Sequence, residues 1–309
     1  MRRTSRSPRC KINPLKPEAD ANAPANDRVR IVQEIADLAP FRDGVFVATM
    51  GALHEGHAKL VEQAATIART RTPHAPVVVS VFVNPTQFGE TIDYDRYPRI
   101  IETDAAICAK AGADCVFAPP VDLVYPPDIM PPVPPLPRVA TVPELEDKYR
   151  VGHFAGVCQV IHRMFALLAP SVAIFGEKDW QQLRVIDAMT REQGLGVEIV
   201  GGPTYREPDG LAMSSRNRFL VGEDRERALS ISRALRAASE QPTAADAEAA
   251  MRSIIESTGA TLEYAVIRDA MTLEPIDPGQ RRESIARPAR ALAAARFGEV
   301  RLIDNMPWG

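Results

Sequence analysis

Five short apolar runs constrain this chain more than any other feature of it. Val45-Phe46-Val47-Ala48, Val77-Val78-Val79-Ser80-Val81-Phe82-Val83, Cys115-Val116-Phe117-Ala118, Val172-Ala173-Ile174-Phe175 and residues 197–200 are nearly continuous and bounded by turn residues. A strand that is apolar at every position must be covered on both faces, which is the condition of a parallel sheet between helices. The intervening segments carry helical stripes, such as Leu60, Ala64, Ile67 and Ala68, or Val157, Val160, Ile161, Met164, Phe165 and Leu168. This alternation predicts an α/β fold with right-handed crossovers. Ahead of the first run, Val29, Val32, Ile35 and Ala36 predict a short helix before Pro40.

After about Pro203 the texture changes. Two helix-prone segments, 223–239 and 244–257, precede strand-like segments at 262–267, 291–296 and 300–303. The expected division is a disordered basic tail over 1–28, a parallel-sheet domain over 29–204 and a smaller α+β domain over 205–309. The proline-dense stretch 125–137 is too stiff for a helix and too irregular for a sheet; a lid and a rigid surface loop are both open readings of it.

Composition excludes several classes. At 309 residues, 45% hydrophobic and 25% charged, the chain reads as a soluble globular protein. A net charge of −3 supplies no global basic field for nucleic acid, although Arg2, Arg3, Arg6, Arg9 and Lys11 lie together without an acid. No run approaches the roughly 18–20 apolar residues of a membrane span. Cys10, Cys108, Cys115 and Cys158 form no CxxC pair and read as reduced thiols of a cytoplasmic protein.

The chemistry is expected where strands end. Thr49-Met50-Gly51-Ala52-Leu53-His54-Glu55-Gly56-His57 follows the first strand and opens a helix. A helix start offers free N–H groups and a positive dipole end to an anion, Gly51 and Gly56 admit a ligand close to the backbone, and His54 and His57 share one face. Ligands of open parallel sheets sit beyond the carboxyl ends of the strands. Three polar clusters fall there: His54 with His57, Asn84 with Gln87, and Lys178 with Asp179 and Gln182. Imidazoles, Lys178 and Arg216 suit a triphosphate attacked at its α-phosphate, where catalysis is positioning and charge stabilisation. The amides of Asn84, Gln87 and Gln182 suit a small polar acid, because they orient it without neutralising a nucleophilic oxygen. Asp179 suits a ribose hydroxyl.

Several of these segments together resemble one family. Thr49 to His57, Phe82-Val83-Asn84-Pro85-Thr86-Gln87-Phe88, Phe175-Gly176-Glu177-Lys178-Asp179-Trp180-Gln181-Gln182 and Met213-Ser214-Ser215-Arg216-Asn217 are similar to those of the pantothenate synthetase, or pantoate–β-alanine ligase, family. Gly152 to Val157 and Arg301-Leu302-Ile303-Asp304-Asn305 fit it too. HxGH alone is shared by many nucleotidylyl transferases; the NPxQF and GEKDxQQ segments are far more specific. The resemblance implies a Rossmann-like N-terminal domain and a two-step ligase acting through pantoyl adenylate. It implies ATP, with Mg2+, held by Met50, Gly51, Ala52, Leu53, His54, Glu55, Gly56, His57, Gly176, Glu177, Lys178, Asp179, Tyr205, Met213, Ser214, Ser215 and Arg216. His57 has the family's acid role, and His54 and Lys178 steady the phosphates. Gln87, Gln182 and Asn84 would hold (R)-pantoate, with Gln87 also near β-alanine. No resident metal, nucleic acid or membrane is expected, and a homodimer is. Three positions depart from the family's habit: Ala48 and Val151 stand where Pro is usual, and Asp147 where Gly is.

Other readings compete. A zinc pair is usually spaced HExxH, whereas these histidines are three apart without an evident third ligand. Structural histidines capping a turn are a second reading. A nucleotidylyltransferase that keeps AMP on its product would share HxGH but leave the amide clusters without a task. A non-catalytic nucleotide-binding regulator would release no pyrophosphate. No Walker A sequence is present.

Overall fold

Side chains alternate across each apolar run, and the alternation builds two cores at once. The computed structural model describes residues 29–71, 73–87 and 100–309; the expected tail over 1–28, Cys10 and Phe88 lie outside them. The strands β1 (Arg30–Val32), β2 (Val45–Thr49), β3 (Val77–Val81), β4 (Cys115–Phe117), β5 (Val172–Gly176) and β6 (Glu198–Gly202) form one parallel sheet in the order β1-β4-β3-β2-β5-β6. Val45, Val47, Val77, Val79 and Ile174 pack on one face against helices α1 (Glu55–Arg69) and α2 (Ile101–Ala111). Phe46, Val78, Phe117 and Ala173 pack on the other face against α3 (His153–Leu168) and α4 (Trp180–Glu192). Hydrophobic burial on both sides explains why polar residues are so scarce within these strands.

The chain reverses its direction of growth between β2 and β5. From β2 it builds outward through β3 to β4, then returns to lay β5 and β6 on the other side. The adjoining strand ends splay their outgoing loops apart and leave a crevice, the ligand-binding point of doubly wound sheets. Residues 49–57 leave β2 and residues 176–179 leave β5, so both border it.

One expected element differs. Arg30–Val32 is not helical but an edge strand, paired in parallel with Cys115–Phe117. Only Val32 of the three is buried, so the apolar spacing mimicked a helical face. A 3-10 helix, Ile35–Phe41, follows and accommodates Pro40. The proline-dense stretch is irregular, with Gln159 Nε2 donating to the Pro131 carbonyl at 2.6 Å.

A second, antiparallel sheet comprises β7 (Thr261–Asp269), β8 (Ala289–Phe297) and β9 (Val300–Trp308). Helices α5 (Glu223–Ala238) and α6 (Ala244–Glu256) cover one face, seated on Ala289, Ala291, Ala293 and Ala295. The small side chains of β8 bring the helices close. The other face sets Tyr264, Leu292 and Ala294 against Leu145 and Trp180 of the first sheet's surroundings. Among the described residues no helix is long and apolar enough to cross a membrane. Cys108, Cys115 and Cys158 are free and buried, and burial pushes their thiols up to about 12.

Charge also joins the two sheets. The Glu146 carboxylate, 5% exposed, accepts both Nη atoms of Arg301 at 2.7 Å and the Tyr264 hydroxyl at 2.8 Å. Arg301 Nε reaches Glu263 at 2.7 Å. Removing one partner of such a pair strands the other charge without water, which costs about 3–5 kcal/mol. Arg301→Ala is therefore expected to lower unfolding stability by about that amount, read by denaturant titration. A loss below about 1 kcal/mol, the usual worth of an exposed pair, would contradict a buried one.

Candidate active site at the switch point

The turn after β2 is shaped by a carboxylate that sequence reasoning missed. Gly51 and Ala52 both have positive φ, 86° and 52°, a strained arrangement for alanine that turns successive N–H groups inward. Asp104, in the first turn of α2 and 2% exposed, accepts from Ala52 N at 3.0 Å and Leu53 N at 2.8 Å. The expected anion seat is thus partly filled by the protein's own carboxylate. Thr49 Oγ1 completes the turn, donating to the Ser80 carbonyl at 2.6 Å and accepting from Gly51 N at 3.3 Å.

His54 caps α1 and His57 lies one turn in, their ring centroids 4.1 Å apart. A Cβ at Gly56 would meet His54 Cε1 at 3.0 Å, so glycine lets the imidazole lie against the helix start. His54 N donates to His57 Nδ1 at 3.3 Å, which leaves the proton of neutral His57 on Nε2. Burial, then the neighbouring His54, lowers His57 to about 3. Burial followed by Lys178 lowers His54 as well. Both shifts run against the cationic form of the imidazoles.

Asn84 is 1% exposed and committed elsewhere. Its Nδ2 donates to the Gly156 carbonyl at 3.2 Å, and its Oδ1 accepts from the Tyr125 hydroxyl at 2.8 Å and Thr86 Oγ1 at 3.1 Å. A Cβ at Gly156 would sit 2.6 Å from the Thr86 carbonyl oxygen, so this glycine of α3 lets the turn pack down. The turn ends at Gln87, whose side chain lines the cleft.

Across the cleft, Gly176 leads from β5 to Lys178, whose Nζ lies 3.4 Å from Asp179 Oδ1. Burial works to raise the Asp179 carboxyl, but Lys178, then Arg216 and Arg150, outweigh it and hold the group below its ordinary value. Of two adjacent glutamines at the start of α4, Gln181 is buried, with Nε2 2.9 Å from the Val139 carbonyl, while Gln182 lines the cleft. Asn305 of β9 pins the Lys178 turn from behind, Nδ2 donating to the carbonyls of Glu177 and Lys178 at 2.9 and 2.8 Å. Glu177 itself pairs with Arg290 at 2.9 Å. The third wall is a hairpin in which Met213 N donates to the Tyr205 carbonyl at 2.9 Å. Buried Asn217 holds it through Glu207 and Ala212, and Arg206 ties it to Asp304 at 2.6 Å. Ser214 Oγ accepts from Arg216 N at 3.3 Å and caps the short helix Ser215–Phe219.

One cleft of about 240 Å³ gathers these parts. Met50, His54, Gly56, His57, Asn84, Gln87, Gly176, Lys178, Asp179 and Gln182 line it, as do Tyr205, Met213, Ser214, Ser215 and Arg216. Gly51, Ala52, Leu53, Glu55 and Glu177 do not line it: the first three form the turn held by Asp104, Glu55 is exposed, and Glu177 faces Arg290. Arg150 and the apolar floor of Phe82, Val157 and Ile161 also line it and were not anticipated. The stripe of α3 signalled burial but not which neighbour. The departures are local. Val151 is 90% exposed, Ala48 lines the cleft, and the Asp147 carboxylate accepts from Glu144 N at 3.1 Å and Leu145 N at 2.9 Å, holding a turn in which Glu144 has φ 57°. Among the described residues no group of three or more His, Cys, Asp or Glu is arranged to hold a metal ion.

A doubly wound sheet with imidazoles, amides and cations around its switch point defines a class of protein that holds a polyanion beside a small polar molecule. The sequence model of the family described as Pantoate-beta-alanine ligase matches residues 27–307. The pantothenate synthetase of a Nocardioides species is 48% identical over 273 residues, spanning 84% of this chain and 77% of its own length. That of Acidothermus cellulolyticus is 43% identical over 272 residues, spanning 85% and 84%. The pantothenate synthetase of Thermus thermophilus superposes with a TM-score of 0.80 at 42% identity, over 90% of this chain and 99% of that one. The pantoate–β-alanine ligase of Francisella tularensis, complexed with beta-gamma ATP and β-alanine, gives 0.70 at 32% identity, over 90% and 97%. The chain belongs to the pantoate–β-alanine ligase family.

The histidines carry a pH consequence. His153, at the start of α3, is also lowered to about 3, by burial and then by Arg150. A histidine at about 6.5 when unfolded and about 3 when folded binds fewer protons in the native state. Its contribution is therefore complete above 6.5 and is lost as pH falls toward 3. The melting temperature is expected to fall between pH 6.5 and 4.5, and the double substitution His57→Gln, His153→Gln should flatten that fall. An unchanged slope would refute the assignment.

Proposed function

We propose that the chain condenses (R)-pantoate with β-alanine in an ATP-dependent, two-step reaction. A pantoate carboxylate oxygen attacks the α-phosphorus of ATP and the bond to pyrophosphate breaks. The amine of β-alanine, having lost a proton, then attacks the acyl carbon of pantoyl adenylate; the acyl C–O bond breaks, AMP leaves and the amide forms. Family membership supports the reaction, and one observation supports the site: polar groups from three separate strand ends meet around the β2–β5 crevice.

Lys178 and Arg216 meet the triphosphate with fixed charge, and His54 and His57 meet it with N–H donors at a helix start. The polyanion's field raises both histidines, which is how His57 gains the proton that an acid role requires. The backbone of Met50 and Gly176, the Ser214–Ser215 cap and the Tyr205 backbone cradle the nucleotide, and Asp179 accepts from the ribose. Magnesium belongs to the nucleotide substrate. Gln87 and Gln182 orient pantoate through its hydroxyls and carboxylate, and their neutrality preserves the nucleophile. Asn84 serves indirectly, by fixing the turn that presents Gln87. The apolar floor suits pantoate's gem-dimethyl carbon. Residues 29–204 would hold ATP and pantoate and 205–309 would close over them, in a homodimeric, cytoplasmic enzyme as the resemblance suggests.

Label should exchange between pyrophosphate and ATP in the presence of pantoate without β-alanine, and not with unrelated acids. A stable adenylated product in place of free AMP would favour a nucleotidylyltransferase instead. Gln182→Ala is expected to raise the KM for pantoate roughly 5- to 30-fold, the worth of about 1–2 kcal/mol in hydrogen bonds, and the KM for ATP far less. Equal increases would count against the assignment.

A further inference from the structure

Strand β9 carries a carboxylate and an amide side by side, Asp304 and Asn305, 4% and 3% exposed. Burying such groups is costly unless each is bonded, and an apolar pair would serve packing at least as well. Successive residues of a strand point to opposite faces. Asp304 stands opposite Ala293, on the side covered by α5 and α6. Asn305 stands opposite Leu292, on the side that meets the first sheet's surroundings. The pair therefore reaches two different walls of the cleft.

Asn305 reaches the turn that carries Lys178. Its Nδ2 donates to the carbonyls of Glu177 and Lys178 at 2.9 and 2.8 Å, and its Oδ1 accepts from Arg290 Nε at 2.5 Å. A guanidinium only donates, so Arg290 fixes the orientation of the amide and leaves both N–H groups for the carbonyls. The turn needs this tie. It is a 3-10 segment, Glu177–Asp179, and Asp179 departs from helical geometry at φ −98° and ψ 62°, so α4 does not continue through it. Among the described residues the Lys178 ammonium has Asp179 Oδ1 alone as a partner, at 3.4 Å. Asp304 reaches the hairpin instead. Its Oδ2 and Oδ1 accept from Arg206 Nη1 and Nη2 at 2.6 and 3.0 Å, a two-point pair that fixes direction as well as distance. Arg206 follows Tyr205, which lines the cleft, and bridges to Ala212 beside Met213.

We propose that Asn305 and Asp304 are positioning residues with separate tasks: Asn305 acts through Lys178 on the triphosphate, and Asp304 acts through Arg206 on the wall that holds the nucleoside. This rests on the ligase reading above, which supplies the nucleotide. Neither side chain lines the main cleft, so each works through another residue. Asn305→Asp keeps the shape, removes both donors and sets a carboxylate against two carbonyls. Lys178 then leaves its place while the hairpin stays. Asp304→Asn removes the charge on which Arg206 is anchored, and the hairpin shifts with Tyr205 and Arg216 on it.

The experiment titrates adenosine and a non-hydrolysable methylene analogue of ATP, with magnesium, into wild type, Asn305→Asp, Asp304→Asn, Lys178→Ala and the double variant Lys178→Ala, Asn305→Asp. Asn305→Asp should weaken the triphosphate roughly 10- to 100-fold, as loss of a charged hydrogen bond does, and leave adenosine unmoved. Asp304→Asn should weaken both ligands by a similar factor, so its preference for the triphosphate stays as in wild type. In the Lys178→Ala background Asn305→Asp should add less than about 2-fold, because its route is already gone. Equal losses of the two ligands in Asn305→Asp overturn the proposal, as a merely structural amide would give them. A full further loss in the Lys178→Ala background overturns it too, as does an Asp304→Asn protein that binds adenosine normally. Should Asn305→Asp not fold, Asn305→Ala, which removes the donors without adding charge, is read in the same way. Wild-type protein without pantoate-dependent pyrophosphate exchange would strike the ligase reading instead, while the comparison of the two ligands still decides the positioning roles.

Discussion

Asp104 is the constraint on which the cleft depends. Its carboxylate takes two amides of a turn that would otherwise relax, since Ala52 stands at a φ of 52°. Sitting in the first turn of α2, the carboxylate is itself favoured by that helix's dipole. The strained turn sets where α1 begins, and so where His54 and His57 stand. An anion-binding turn with an anion already built in cannot admit phosphate at the same amides. Under the proposed reaction the polyanion would fall to the outer donors: the imidazoles, Lys178 and Arg216.

The parallel sheet was legible because double-sided burial leaves so little freedom in a strand. Val45 and Phe46 go to different cores and both must be apolar. Edge strand β1 was not legible: one buried residue in three carries no period, and the same spacing fits a helix. Tyr205 and Met213 were readable only through the resemblance, since a polar hairpin looks alike wherever it lies. Asp104 and Arg150 were hidden for a related reason. Asp104 reads as a helix-start acid, and Arg150 follows a charged stretch that looks solvated. The amides that Asp104 holds lie 52 and 51 residues away in the chain, and Arg216, whose field Arg150 feels across the cleft, is likewise remote in sequence, so no local pattern records either contact.

The C-terminal sheet does more than cap the molecule. Asn305 holds two carbonyls of the turn carrying Lys178, while its neighbour Asp304 holds Arg206 beside Tyr205. Two adjacent residues of β9 thus fix the cleft wall that leaves β5 and the hairpin wall opposite. Arg290 adds a third tie to Glu177 and stacks over Trp180, 3.4 Å from the ring centroid. A shift of β9 against the parallel sheet would therefore move the cation and the hairpin together. The two walls of the cleft are thus mechanically coupled through one strand.

Charge placement follows the two-step logic. In the proposed reaction the groups meeting phosphate are fixed cations and imidazoles held below their ordinary proton affinity, which a polyanion would raise again. Groups expected to meet pantoate are amides, which leave its nucleophile intact. Arg150 and His153 stand by a recess that Gln182 shares and that Glu146, Asp179 and Asp304 also line. A single uniformly cationic pocket would bind all three substrates but would also let pyrophosphate, pantoate and the amino acid compete for every position. Keeping cations and amides at separate positions along one cleft, as the proposed assignment has it, would give phosphate and carboxylate different partners.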